Sequence, residues 1–300
     1  MDLLSTLADF FHYDFMVRAL VIGILIALCA SLLGVSLVLK RYSMIGDGLS
    51  HVGFGALALA TALNWAPLAV TLPVVLLAAF LLLRLSENSK LRSDAAIGLI
   101  SASALAIGVM AISIRGGVNT DLENYLFGSI LATTRFDMIL GVVVCLIVLV
   151  TFIFLYPRIF AVTFDEDFAS ASGLHSKLMN AMLAGLTAVI IVLGMRLMGA
   201  LLISSLIIFP TLSALWLARS FKGVTWTAVI LAAVCFLLGL SVSLVAGTPT
   251  GASIVVANLL AFLVCYVSSK IKLAIQIKRN TNGSQVTTSN HADSCGCGKH

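Results

Sequence analysis

Residues 15–39 read FMVRALVIGILIALCASLLGVSLVL, and residues 40–63 continue KRYSMIGDGLSHVGFGALALATAL. The first run exceeds the ~20 residues that a helix needs to cross a bilayer, and its one charge, Arg18, lies near its start. Its apolar residues are consecutive rather than alternating, so a lipid-facing barrel strand is excluded. The run is also too long for the core of a secretion signal, and no cleavage site is evident. A membrane helix is predicted. Behind it lies a second run of similar length that carries two ionisable side chains, Asp47 and His51.

The whole chain extends this pattern. Apolar residues make up 60% of it and charged residues 10%, against ~25% charged in a soluble domain. Such a chain cannot cover a water-facing surface, which excludes a soluble enzyme and a disordered or fibrous protein. The sequence predicts an all-α polytopic membrane protein of about nine spans, near 15–39, 43–63, 66–83, 94–113, 136–156, 178–195, 198–217, 224–246 and 252–269. Eight is the alternative, because Arg196 alone marks the break between two of them. With the N-terminus outside and the C-terminus in the cytoplasm, only Arg18, Arg115, Arg135 and Arg196 of the 18 Lys and Arg face out, as the positive-inside rule requires. This placement accounts for the net charge of +5 without invoking nucleic acid. A membrane domain is expected over 1–278 and a polar, disordered tail over 279–300. Cys29, Cys145, Cys235 and Cys265 sit singly in apolar runs, where cysteine behaves as a small hydrophobe.

Candidate chemistry emerges from the same map. Twelve of the 13 acids fall in loops, tails or span ends, which leaves Asp47; four of the five histidines lie outside the spans, which leaves His51. Spacing i, i+4 stacks the two on one helix face, where carboxylate and imidazole can share zinc, manganese or iron. An ionisable group in lipid costs about 2.5–3.5 kcal/mol on insertion scales and therefore marks a pathway. A blander reading makes Asp47 a helix N-cap and His51 a hydrogen-bonded core residue. Against it, a span starting only at Gly48 would be short, whereas one starting near Ser43 puts Asp47 a turn inside. Gly46, Gly48, Gly53 and Gly55 let a neighbouring helix approach. Two ligands do not enclose a metal, and a symmetric dimer would supply four.

No nucleotide-binding phosphate loop, H-E-x-x-H or C-x-x-C motif is present, so the chain is not expected to be an enzyme. His291, Cys295, Cys297 and His300 in the tail are either a loose metal site or incidental. The cytoplasmic segment 157–177, PRIFAVTFDEDFASASGLHSK, reads either as a solvated loop or as a short helix that docks into another protein. On the outer side, the middle of 114–135, IRGGVNTDLENYLFGSILATTR, is apolar but too short to cross and suggests a half-helix at Tyr125–Leu131.

Four blocks in order, KRYSMIGDGLSHVGFG, DLENYLFGSILATTRFDM, FDEDFASASGLHSKLMN and MGALLISSLIIFPTLSA, resemble the permease subunits of ATP-binding-cassette importers for zinc and manganese, the ZnuB type. The resemblance covers nearly all of 15–275. It implies a type II importer permease working as a homodimer in a prokaryotic plasma membrane. Its partners would be two copies of a separate ATPase and an extracytoplasmic metal-binding protein. Asp47 and His51 match the family's intramembrane metal ligands. Segment 164–178 matches its coupling helix, with Phe164, Asp165, Glu166, Ala169, Gly173 and His175 expected at the ATPase contact. The cargo would be a divalent ion rather than a resident cofactor, and DLENYLFG is closer to the zinc members than to the manganese members. A manganese or iron permease of the same family and a gradient-driven cation transporter are the alternatives.

Overall fold

A computed structural model describes residues 14–88, 93–114, 128 and 134–292. The predicted half-helix, apart from Gly128, lies outside the described residues, as do Cys295, Cys297 and His300. The described residues form ten helices: α1 Asp14–Leu39, α2 Ser43–Ala62, α3 Pro67–Asn88, α4 Ser93–Ile114, α5 Arg135–Phe164, α6 Glu166–Ala171, α7 Ser176–Met198, α8 Ala200–Leu217, α9 Phe221–Ala246 and α10 Thr250–Ala292.

Eight of these are long and apolar enough to cross a membrane. The other long helix, α2, has 20 residues, about 30 Å, but Asp47, His51, two serines and four glycines dilute its apolar character. It is also enclosed, packing on α3, α4, α7 and α8. Around this interior the outward faces are oily. Phe154 is 81% exposed, and Leu77, Leu99, Met110 and Trp226 are also well exposed. So much exposed apolar surface is tolerable only in lipid.

The chain reverses tightly between α1 and α2. The Tyr42 amide donates to the Leu37 carbonyl at 2.8 Å, and Arg41 sits in the left-handed region at φ 62°. This is a Schellman-type stop built without glycine. The Trp65 amide donates to the Ala60 carbonyl across left-handed Asn64 to close α2 in the same way. Between α7 and α8 a single residue intervenes, Gly199, at φ 92°. A Cβ on Gly194 would collide with the side chain of Ile203, so the two helices fold back on each other there. The break that sequence left unsettled near Arg196 is therefore real.

Close approach of α2 to its neighbours depends on absent side chains. A Cβ on Gly55 would lie 2.4 Å from the Ala104 carbonyl oxygen of α4, and one on Gly48 would lie 2.7 Å from Ile97. Most buried hydroxyls and amides are satisfied within their own helices. Thr187, Thr211 and Thr225 donate to carbonyls four residues back, and Asn258 does the same through its amide. Ser204 and Ser205 donate three residues back. Asn180 instead bonds outside its own helix, to Lys40 and to Glu166 of α6.

Two stretches are more helical than the sequence predicts. The span expected to end near Tyr156 continues through Pro157 to Phe164. Proline forfeits one hydrogen bond there, but Tyr156, Phe160 and Phe164 all stack around Phe221 of α9, with centroids 5.2–5.8 Å away. Helix α10 runs on to Ala292 although composition expects no element beyond about Asn280. An existing helix adds residues without a new nucleation cost, and the span supplies the nucleus.

Candidate metal-transport site

Asp47 stands in the second turn of α2, not at its N-cap, which is Tyr42. The capping alternative is thereby excluded. Its carboxylate Oδ2 lies 3.5 Å from Nε2 of His51, one turn on. The Ser204 hydroxyl of α8 is the carboxylate's other polar neighbour. His51 Nδ1 is buried and has no hydrogen-bond partner among the described residues. A histidine retained for core structure would have that nitrogen satisfied.

Most of α2 is buried, but Met44 and Leu59 are exposed and Asp47 and His51 are half-buried. Their spacing of three, four and eight residues makes one stripe along the helix. Beside it, reached through Ser204, runs an open groove of ≈ 430 Å³ between α8 and α10. Leu201, Ile208, Phe209, Val255 and Val256 make its walls apolar. The described residues contain no group of three or more His, Cys, Asp or Glu able to hold a metal ion. One chain thus offers a carboxylate, an imidazole and a neighbouring hydroxyl, all borderline or hard donors that suit zinc or manganese.

The cytoplasmic segment expected to contact the ATPase divides into two faces. Asp165 caps α6 by accepting from the Phe168 amide at 2.8 Å. Ala169 is fully buried against Val162 and Met179. Gly173 takes φ 86°, and exposed His175 occupies the N-cap position of α7. Glu166 turns inward: its Oε2 accepts from Lys40 Nζ at 3.4 Å and its Oε1 from Asn180 Nδ2 at 3.0 Å. Phe164 and Phe168 point out and are 61% and 68% exposed. Phe168 was not among the contact residues expected from sequence, although an aromatic among small residues is the natural anchor for a groove. His291 lies in the last turn of α10, far along the chain from Asp47.

A polytopic helical bundle with an ionisable pair on an enclosed helix has the anatomy of a membrane transporter. Residues 12–269 match the ABC 3 transport family, and the chain belongs to that family. It is a multi-pass protein of a prokaryotic plasma membrane. It is 32% identical over 251 residues to the "High-affinity zinc uptake system membrane protein ZnuB" of Haemophilus influenzae, covering 84% of this chain and 96% of that one. It is 30% identical over 254 residues to the "Manganese import system permease protein ScaB" of Streptococcus gordonii, covering 85% and 91%. Among solved structures it resembles "PsaBC from Streptococcus pneumoniae in complex with Fab", with a TM-score of 0.77, 29% identity, and 87% and 95% of the two chains covered.

Proposed function

We propose that the chain is the membrane permease of an ATP-driven importer of divalent metal ions, with zinc as its cargo. The observation that carries this reading is the Asp47–His51 pair, half-exposed on a helix inside a bundle whose outer faces are lipid-like, with an imidazole nitrogen left unsatisfied. Neither hydrocarbon nor cytosol explains such a pair. A second copy across the stripe does, because two carboxylates and two imidazoles then surround one ion and leave no ionisable group against lipid. The apolar groove beside Ser204 extends the surface such a partner would cover.

The protein performs no bond chemistry in this role. An external binding protein delivers the ion at the end of the bundle that carries Arg196, and Asp47 and His51 replace part of its water shell. The half-exposed site holds it firmly enough to dehydrate it and loosely enough to release it inward. The Lys40 end, rich in Lys and Arg, faces the cytoplasm and meets the ATPase through α6. Zinc is favoured over manganese by the imidazole and by the zinc-named relative; the manganese-named relative supports the same architecture with a different cargo.

The test is uptake of zinc and of manganese by vesicles holding the permease with its ATPase. Uptake of zinc ahead of manganese, dependent on ATP and lost in Asp47→Ala, supports the proposal. Uptake driven by an ion gradient without ATP overturns it.

A further inference from the structure

Lys40 directly follows α1 at the turn into α2, and its side chain is only 7% exposed. Its ammonium reaches Glu166 of α6 at 3.4 Å and the Asn180 side-chain oxygen of α7. Asn180 closes the ring by donating to the other Glu166 oxygen at 3.0 Å. The turn after α1, 126 positions away, is thus tied through one carboxylate to α6 and α7. Three residues after Lys40, past the left-handed Arg41 stop, α2 begins, with Asp47 about one turn further on.

We infer that the Lys40–Glu166–Asn180 clasp transmits movement of α6 to the helix that holds Asp47 and His51, and that these three are positioning residues for transport. The inference deepens the proposed function and rests on α6 being the ATPase contact. Three features support it. Glu166, although its side chain is 41% exposed, commits both carboxylate oxygens to Lys40 and Asn180, while Asp167 and Phe168 of α6 face outward. Separating a mostly buried ammonium from its carboxylate is costly, which couples Lys40 to Glu166 when α6 shifts. The turn to α2 is short and closed by its own hydrogen bonds, and therefore passes displacement on instead of absorbing it.

A small cavity of ≈ 10 Å³ borders Lys40, Asn180, Ser36 and Thr187, and the buried Ser36 hydroxyl has no hydrogen-bond partner among the described residues. The void is about the size that one water needs, so packing around the clasp is slightly looser than in the rest of the interior.

The experiment uses the complete complex in vesicles, with Met44→Cys as a reporter one turn from Asp47 and Cys295→Ser and Cys297→Ser to silence the tail. Alkylation of Cys at position 44 by a water-soluble maleimide is followed with and without nucleotide, beside ATP hydrolysis and zinc uptake. In the parent, nucleotide changes the alkylation rate. In Glu166→Gln, hydrolysis persists, the nucleotide effect on alkylation disappears and uptake falls about tenfold, within the range of an allosteric coupling free energy. Lys40→Arg, with Glu166 intact, keeps the ion pair and should keep both the nucleotide effect and uptake. The double variant Lys40→Gln/Glu166→Gln removes both charges, leaves no lone buried ion, and should behave as Glu166→Gln does. An unchanged nucleotide response in Glu166→Gln overturns the inference. So does loss of hydrolysis and assembly in both Glu166→Gln and the double variant, which marks a purely structural contact. If the parent imports no metal, the proposed cargo is wrong, but the alkylation response still decides on the clasp.

Discussion

At the opposite end of α7 from Asn180, the Arg196 guanidinium meets the Asp137 carboxylate of α5 at 3.0 Å. Asp137 is only 12% exposed, and its other oxygen accepts from the Thr134 hydroxyl at 2.6 Å. Arg196 stands in the last turn of α7 and Asp137 in the first turn of α5, so each charge also favours its own helix dipole. Helix α7 is therefore tied at one end by an ion pair and at the other by the hydrogen bonds of Asn180 to charged side chains.

Arg196→Met should lower stability by about 1–2 kcal/mol, between an exposed and a buried pair, because Asp137 keeps its charge and loses its cation. Thermal unfolding in detergent checks this. Asp137→Asn with Arg196→Met should recover part of the loss, and full stability in the single variant would mean the pair contributes nothing.

Gly55 and Gly185 make a matched pair of substitutions. Alanine at Gly55 drives a methyl into the Ala104 carbonyl and should cost about 1–3 kcal/mol as α2 and α4 are pushed apart. Alanine at Gly185 finds the Phe80 ring at 3.9 Å, an ordinary contact, and should be neutral or stabilise α7 by about 0.5–1 kcal/mol. Comparing the two melting temperatures tests whether absent side chains set the position of α2.

Phe221→Ala should cost about 3 kcal/mol, since the ring is nearly buried among Tyr156, Phe160 and Phe164. The damage should concentrate where α5 continues past Pro157. Hydrogen exchange is expected to rise over 157–171 more than over α1, and a uniform rise would show that the cluster does not specifically hold this extension.

Much of this was legible in the sequence, for identifiable reasons. Apolar runs of span length report helices directly, because lipid demands internally satisfied backbone. Asp47 and His51 stood out by elimination, since an ionisable side chain inside a span is rare. The clasp was invisible: Lys40 and Glu166 are 126 positions apart, and nothing in either local sequence announces the other. Asn180 read as one more polar residue inside a span. The continuation of α5 past Pro157 was not legible, because the aromatic ring packing that holds it comes from α9. Gly199 was visible as a glycine, but its backbone angle had to be seen.

The central claim is that Asp47 and His51 grip one ion together with their counterparts in a second copy. Zinc binding to the purified permease, measured by titration calorimetry alongside the mass of the assembly, tests this most directly. One ion per two chains is expected, with binding abolished in Asp47→Ala and in His51→Ala while the two-chain assembly persists. Undiminished binding in the double variant, or a full ion bound by each isolated chain, would contradict it.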